Sequence, residues 1–158
     1  PRNLANDTSP EILTWKHSIK HLKNKFSFDA DFFVNIPTTS PLRKLIDIKK
    51  YKSKFKKIKC DGVISITESK KNPYFNMVKI NNSQLIELII NNKKQINRRQ
   101  IAPKVYDITT VCYVFSTKYI MNNNNFLKGK ISYNKVPVER SLDIDSYYDL
   151  KIANLLAK

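Results

Sequence analysis

Glycine is almost missing from these 158 residues: only Gly62 and Gly129 occur. That excludes a glycine-rich loop whose backbone N–H groups could cradle a triphosphate. Cysteine is as scarce. Cys60 and Cys112 lack metal-ligand spacing and lie beside strand-like sequence, so they read as small buried thiols of a reducing cytoplasm, not as a disulfide. Neither sits in a nucleophile motif. Long apolar runs are lacking too. The longest, Leu85-Ile86-Glu87-Leu88-Ile89-Ile90, is broken by a charge and far too short for a bilayer, and Pro1-Arg2-Asn3 opens no signal-peptide pattern. No membrane partner is expected. Negative charge is the last deficit: 13 Asp and Glu against 29 Lys and Arg leave a formal net charge of +16.

That excess invites a nucleic-acid partner. Its densest part runs from Lys49 to Lys59. There Leu45, Ile48, Tyr51 or Lys52, Phe55 and Ile58 recur at three- and four-residue steps, giving one apolar helix face with lysines around the rest. A solvated lysine face explains the cluster, and Lys, Asn and Ile are abundant along the whole chain, so the charge names no partner. With 41% hydrophobic residues the chain can build a core, and its length suits one domain.

The chain order reads as alternating helices and strands. Ser9 and Pro10 suit a helix cap and first position, with Ile12, Trp15, Ile19 and Leu22 following to about Lys25. Residues 31–36 form a strand, ended by the Pro37 to Pro41 loop; the lysine-rich helix spans about 42–59, and 62–67 form a second, buried strand. Strand, helix, strand indicates a parallel crossover unit. Residues 75–80 and 85–90 look like a hairpin turning at Asn81-Asn82. Further strands are expected at 111–115 and 130–136, with a loop at 122–125. Ser146 and Asp149 form a capping box for a last helix with core face Leu150, Ala153 and Leu156. The expected fold is a three-layer α/β domain with a mixed sheet and an inserted hairpin, binding ligand beyond the strand ends at 37–43, 67–74 and 140–146.

Three constellations could carry chemistry. Asp143 and Asp145 are alternate residues just before a helix; in an extended segment both carboxylates point one way and could grip a hard cation such as Mg²⁺ together with phosphate oxygens. An Asp there is also an ordinary helix cap. Asn97-Arg98-Arg99-Gln100 offers planar guanidinium groups and an amide for an acidic, hydroxyl-rich ligand, or simply a basic surface step. Thr38, Thr39 and Ser40 place hydroxyls between a strand end and a helix start, suited to anion binding or to capping. His17 and His21 are four apart on a helix, but no Glu or Cys completes a metal set, and solvent exposure is expected.

Taken in order, these segments resemble the acylneuraminate cytidylyltransferase (CMP-sugar synthetase) family. Arg2-Asn3-Leu4-Ala5-Asn6-Asp7-Thr8-Ser9 is similar to a shortened form of its Arg-Pro-x-x-Leu-Ala-x-Asp segment. Thr39-Ser40-Pro41-Leu42-Arg43 matches Thr-Ser-Pro-Leu-Arg, and residues 61–69, 72–78, 98–100, 103–106 and 139–153 continue the series along the whole chain. The resemblance implies a nucleotide-diphospho-sugar-transferase-like (Rossmann-like) fold, with residues 1–158 as one domain and 72–103 as a dimerisation insertion. It implies transfer of CMP from CTP to the anomeric hydroxyl of a nine-carbon, or eight-carbon, 2-keto sugar acid, with release of pyrophosphate, for cell-surface glycans such as lipopolysaccharide. Asp143 and Asp145 would hold Mg²⁺, Arg2, Asp7 and Ser9 would lie near the nucleotide, and Ser40, Arg98 and Gln100 would face the sugar. A homodimer is implied and nucleic acid is not.

Two departures qualify the match. Pro37 stands where many members carry Gln, which leaves the sugar open. Nothing corresponds to the family's first strand and its Gly-, Ser-, Lys- and Arg-containing nucleotide loop. With Pro1 in place of an initiator Met, an N-terminally truncated piece is expected, one that alone binds CTP poorly and turns over little. The rivals are a basic nucleic-acid-binding module and an inactive dimerising homologue.

Overall fold

Helix α1 (Glu11–Phe26) begins the regular structure, followed by β1 (Phe32–Asn35), α2 (Leu45–Lys57) and β2 (Gly62–Glu68). Then come β3 (Val78–Ile80), β4 (Ile86–Leu88), β5 (Tyr106–Ser116), α3 (Thr117–Asn122), β6 (Ile131–Lys135) and α4 (Tyr147–Leu156). These elements come from a computed structural model, which describes residues 1–6, 8–91 and 96–157. Two compact units are present: Pro1–Ile66 with Ile108–Lys158, and Thr67–Asp107, which encloses the 72–103 stretch.

The larger unit is built on a four-stranded mixed sheet of order β1-β5-β2-β6. β1 pairs antiparallel with β5, and β2 pairs parallel with β6. Ser116 N–H donates to Asp61 O (2.9 Å), and Ser65 and Cys112 are joined further along, so β5 also runs opposite to β2. β1 and β2 therefore point the same way, as a strand–helix–strand crossover requires. They are not neighbours, because β5 inserts between them.

Side chains alternate across the sheet and form two cores. Phe33, Ile64, Tyr113 and Phe115 face Ile12 and Trp15 of α1 and Tyr119 and Ile120 of α3. Phe32, Val34, Val63, Cys112 and Val114 face Tyr51 and Phe55 of α2. Helices thus cover both faces, the three-layer arrangement expected. Trp15 gathers Phe33, Tyr113, Phe115 and Phe126 around it, with ring centroids 5.6 to 6.2 Å apart. Gly62 is where backbone meets Phe115: a Cβ there would lie 2.2 Å from the ring, so only glycine fits.

Several element ends differ from expectation. Pro10, not Ser9, caps α1, because its ψ of 130° keeps it extended and the helix begins at Glu11. α2 starts at Leu45, since Arg43 donates to Ser40 O (2.7 Å) and to Pro37 O and holds the preceding residues as a turn. Its buried face centres on Asp47 and Tyr51, while Leu45 is 66% exposed and the lysines at 49, 50, 52, 56 and 57 face solvent. Helix α3, unforeseen from the sequence, is capped by Ser116, whose Oγ accepts from Tyr119 N–H (3.1 Å). The Ser146–Asp149 capping box is present, but of α4's expected core face only Ala153 is buried; Leu150 and Leu156 are 39% and 55% exposed. The short helix buries one small side chain, half-buries Ile152 and leaves its tyrosines and leucines outside.

In the smaller unit β3 and β4 form the expected hairpin, Val78 opposite Leu88 and Ile80 opposite Ile86. Asn81 organises its loop, its Oδ1 accepting from Ser83 N–H and Leu85 N–H (both 3.0 Å), with Gln84 left-handed at φ 62°. Among the described residues, no helix is long and apolar enough to cross a membrane.

Candidate functional site

The site lies in the larger unit where β1 and β6 end. The loop after β1 and the loop after β6 are stitched together by Ile144 N–H, which donates to Thr39 O (2.9 Å). That bond sits between the two aspartates and brings residues 139–146 against the Thr-Ser-Pro-Leu-Arg segment. The N-terminus of α1 is tied to the same edge, because Asn35 at the end of β1 donates from Nδ2 to Glu11 Oε1 (2.8 Å).

Asp143 is half-buried, and its Oδ1 is buried with no hydrogen-bond partner. An uncompensated carboxylate oxygen is costly in such surroundings unless a cation meets it. The local field is mixed. Burial pushes the Arg43 guanidinium below its usual range, while the charges of Cys112 and Asp143 act the other way. Tyr113 is pushed up to about 12, chiefly by burial and then by the charges of Glu11 and Asp143. Asp145 is exposed, and its N–H donates to Asp149 Oδ2 (3.3 Å). Asp149, not Asp145, reaches back to cap the helix, accepting from Ser146 N–H (2.9 Å). The Asp145 carboxylate is thereby left out of the cap.

Two carboxylates, one with an orphaned buried oxygen, fit a hard divalent cation that takes its other ligands from phosphate and water. Among the described residues no cluster of three or more His, Cys, Asp and Glu side chains converges. His17 and His21 lie exposed with ring centroids 6.1 Å apart, a surface pair.

The other expected site residues distribute as follows. Ser40 is fully buried, and its Oγ shares a hydrogen bond with Thr110 Oγ1 (2.6 Å), so its hydroxyl is occupied inside the fold. Ser9 is half-buried two residues before Glu11, which places it near the same edge; Arg2 is exposed in a short 3₁₀ turn (Arg2–Leu4). Asp7 lies outside the described residues. In the smaller unit Gln100 lines a cleft of about 220 Å³ with Glu68, Ser69, Asn72, Arg99 and Lys104. Arg98 is exposed and is not among the cleft's lining, whereas Arg99 donates to Lys70 O. Asn72 braces the cleft by donating from Nδ2 to Pro103 O (2.9 Å).

Sequence reasoning missed Glu11, Asn35, Tyr113 and the pair Asp47–Arg140. A polar residue closing a short hydrophobic strand was the available signal for Asn35. An acid on the lysine-rich helix was the signal for Asp47.

No family model matches the chain. A flagellin post-translational modification protein B of Campylobacter coli is 25% identical over 156 residues, 99% of this chain and 65% of its own length. The CMP-N,N'-diacetyllegionaminic acid synthase of Campylobacter jejuni is 27% identical over 154 residues, 98% of this chain and 64% of its own. The resemblance to CMP-sugar synthetases stands. The chain spans about two thirds of the length of the curated relatives it matches. The 4-diphosphocytidyl-2C-methyl-D-erythritolsynthase from Anaerococcus prevotii superimposes with a TM-score of 0.63 at 15% identity, over 95% of this chain and 67% of that one. The three-layer mixed-sheet fold is therefore shared with that synthase.

Proposed function

We propose that this chain acts in a cytidylyltransferase that transfers CMP from CTP to a nonulosonic, sialic-acid-like 2-keto sugar acid. The anomeric hydroxyl attacks the α-phosphorus and pyrophosphate leaves. The buried, unpartnered Oδ1 of Asp143, beside an exposed Asp145 whose carboxylate stays out of the helix cap, is the observation that carries this reading. The CMP-legionaminic acid synthase relative supports the donor and the acid class.

Asp143 and Asp145 would hold Mg²⁺, which when bound neutralises charge developing on the triphosphate. The protein's part is positioning. Thr39 fixes the aspartate segment through Ile144, and Arg43 offsets the Asp143 charge from within. Ser9 and Arg2 are assigned to the nucleotide side. Ser40 shapes the loop from inside through Thr110, and Gln100, with the Arg98–Arg99 step, is assigned to the carboxylate and hydroxyls of the sugar acid. The exposed isoleucines of the β3–β4 hairpin supply a homodimer contact. The enzyme would act in the cytoplasm, feeding cell-surface glycan assembly.

The test uses the full-length protein with Asp143→Asn and Asp145→Asn separately. Each is expected to lower Mg²⁺-dependent CMP-sugar formation by ~10²-fold, the scale of losing one electrostatic contact to a transition state. Unchanged turnover in both removes the aspartates from the reaction.

A further inference from the structure

The acid Asp47 is out of place on its helix. The helix is rich in lysine, yet this acid is 3% exposed, and its partner is remote in sequence. Arg140 Nε donates to Asp47 Oδ2 (2.9 Å) and Arg140 Nη2 to Asp47 Oδ1 (2.8 Å), a two-pronged pair across 93 positions. Lys44 N–H also donates to Oδ2 (3.0 Å), so both carboxylate oxygens are satisfied. The Asp47 and Arg140 side chains are only 4% and 23% exposed, so this is not a surface ion pair of little consequence. Burial by itself would raise the Asp47 carboxyl; the Arg140 and Lys44 hydrogen bonds and the charges of Arg140 and Lys50 outweigh it and hold the group below its usual range.

Arg140 is three residues before Asp143, and Ile144 is the residue after it. The aspartate segment is thus fastened on both sides: at 140 by a bidentate pair to α2, and at 144 by a backbone bond to Thr39. Between those fastenings Asp143 keeps an oxygen that no protein group satisfies. A carboxylate whose loop could relax would turn its oxygen to solvent or to a nearby donor. It stays orphaned because its loop is held.

We propose that Asp47 and Arg140 form a positioning strut that anchors the Asp143 loop to α2 and holds the cation platform ready before any ligand arrives. Neither residue touches substrate or ion; both act through Asp143. The inference rests on the assignment of Asp143 as a cation ligand. Partners that orient metal ligands typically change affinity by 10- to 100-fold when removed.

Mn²⁺ alone serves as the probe, its binding to the full-length protein read by electron paramagnetic resonance without turnover. Asp143→Asn should abolish the bound signal. Arg140→Met should weaken the Mn²⁺ dissociation constant by ~10- to 100-fold. It should also speed hydrogen exchange at the Ile144 amide relative to the Ser65 and Val114 amides of the sheet. Arg140→Lys keeps the charge but replaces the planar fork by a single point donor, and should fall between Met and wild type. Should Arg140→Met not fold, the Arg140→Lys measurement decides alone. Mn²⁺ affinity lost in Asp143→Asn but unchanged in the Arg140 variants overturns the strut while leaving the metal assignment intact. Affinity unchanged in Asp143→Asn overturns the metal assignment, and the strut with it.

Discussion

Ser65 shows how much one hydroxyl settles. It is fully buried in β2; its Oγ accepts from Tyr51 O–H (2.6 Å) and Cys112 N–H (2.9 Å) and donates to Cys112 O (2.7 Å). One small, fully buried side chain therefore ties helix α2, strand β2 and strand β5. Ser65→Ala would leave the Tyr51 hydroxyl unpaired in the apolar core. It should cost about 2 kcal/mol in urea unfolding, the penalty of an orphaned buried polar group, whereas Tyr51→Phe, which removes only a donor, should cost less. The serine was invisible as a network residue in the sequence: in the run Gly62-Val63-Ile64-Ser65-Ile66-Thr67 it reads as a polar interruption of a buried strand. Asp143 and Asp145 were singled out from their spacing, which suggests a cation, and they enter the proposed function on that footing. Asp47 and Arg140 were not, since the link depends on a contact between residues 93 apart.

At the scale of elements, local pattern carried the identity of strands and helices, and tertiary contacts moved their ends. Strand β2 and the α4 capping box agree with local signals because backbone propensity and nearby side chains decide them. The late start of α2 depends on Arg43 reaching Ser40 and Pro37, and the separation of β1 from β2 depends on β5 arriving later in the chain. The hairpin presents another element-level expectation. Val78, Ile80, Leu85 and Ile86 are 49%, 68%, 64% and 71% exposed, and Asn81 already holds their loop in shape. A two-stranded ribbon with bare isoleucines is marginal alone in water. If the proposed homodimer forms through this ribbon, replacing Ile80 and Ile86 by Lys should shift sedimentation of the protein from dimer to monomer, with Trp15 fluorescence unchanged. A dimer that persists at micromolar concentration excludes this ribbon from the contact.

Over the whole molecule, positive charge dominates, and acids are placed sparingly. Asp47 is held below the usual carboxylate range, so its contribution to stability is complete above the unfolded value of about 4. It fades as pH falls through the lower, folded value. The unfolding free energy of wild type should decline with acid across that window, and Asp47→Asn, already lacking the term at neutral pH, should give a flatter profile by chemical denaturation at pH 3 to pH 6. Equal slopes would mean that other carboxylates govern acid sensitivity. The same interior holds Cys112, fully buried, its thiol pushed up to about 12 by burial and sheltered on the α2 side of the sheet. A sulfhydryl so placed reacts only when the central strands part, since the thiolate is the reactive form and must first reach solvent. Half-buried Cys60 lies much nearer the exterior. The protein therefore carries a built-in clock: slow alkylation at position 112 would count openings of the layered interior, one molecule at a time, without any residue being substituted.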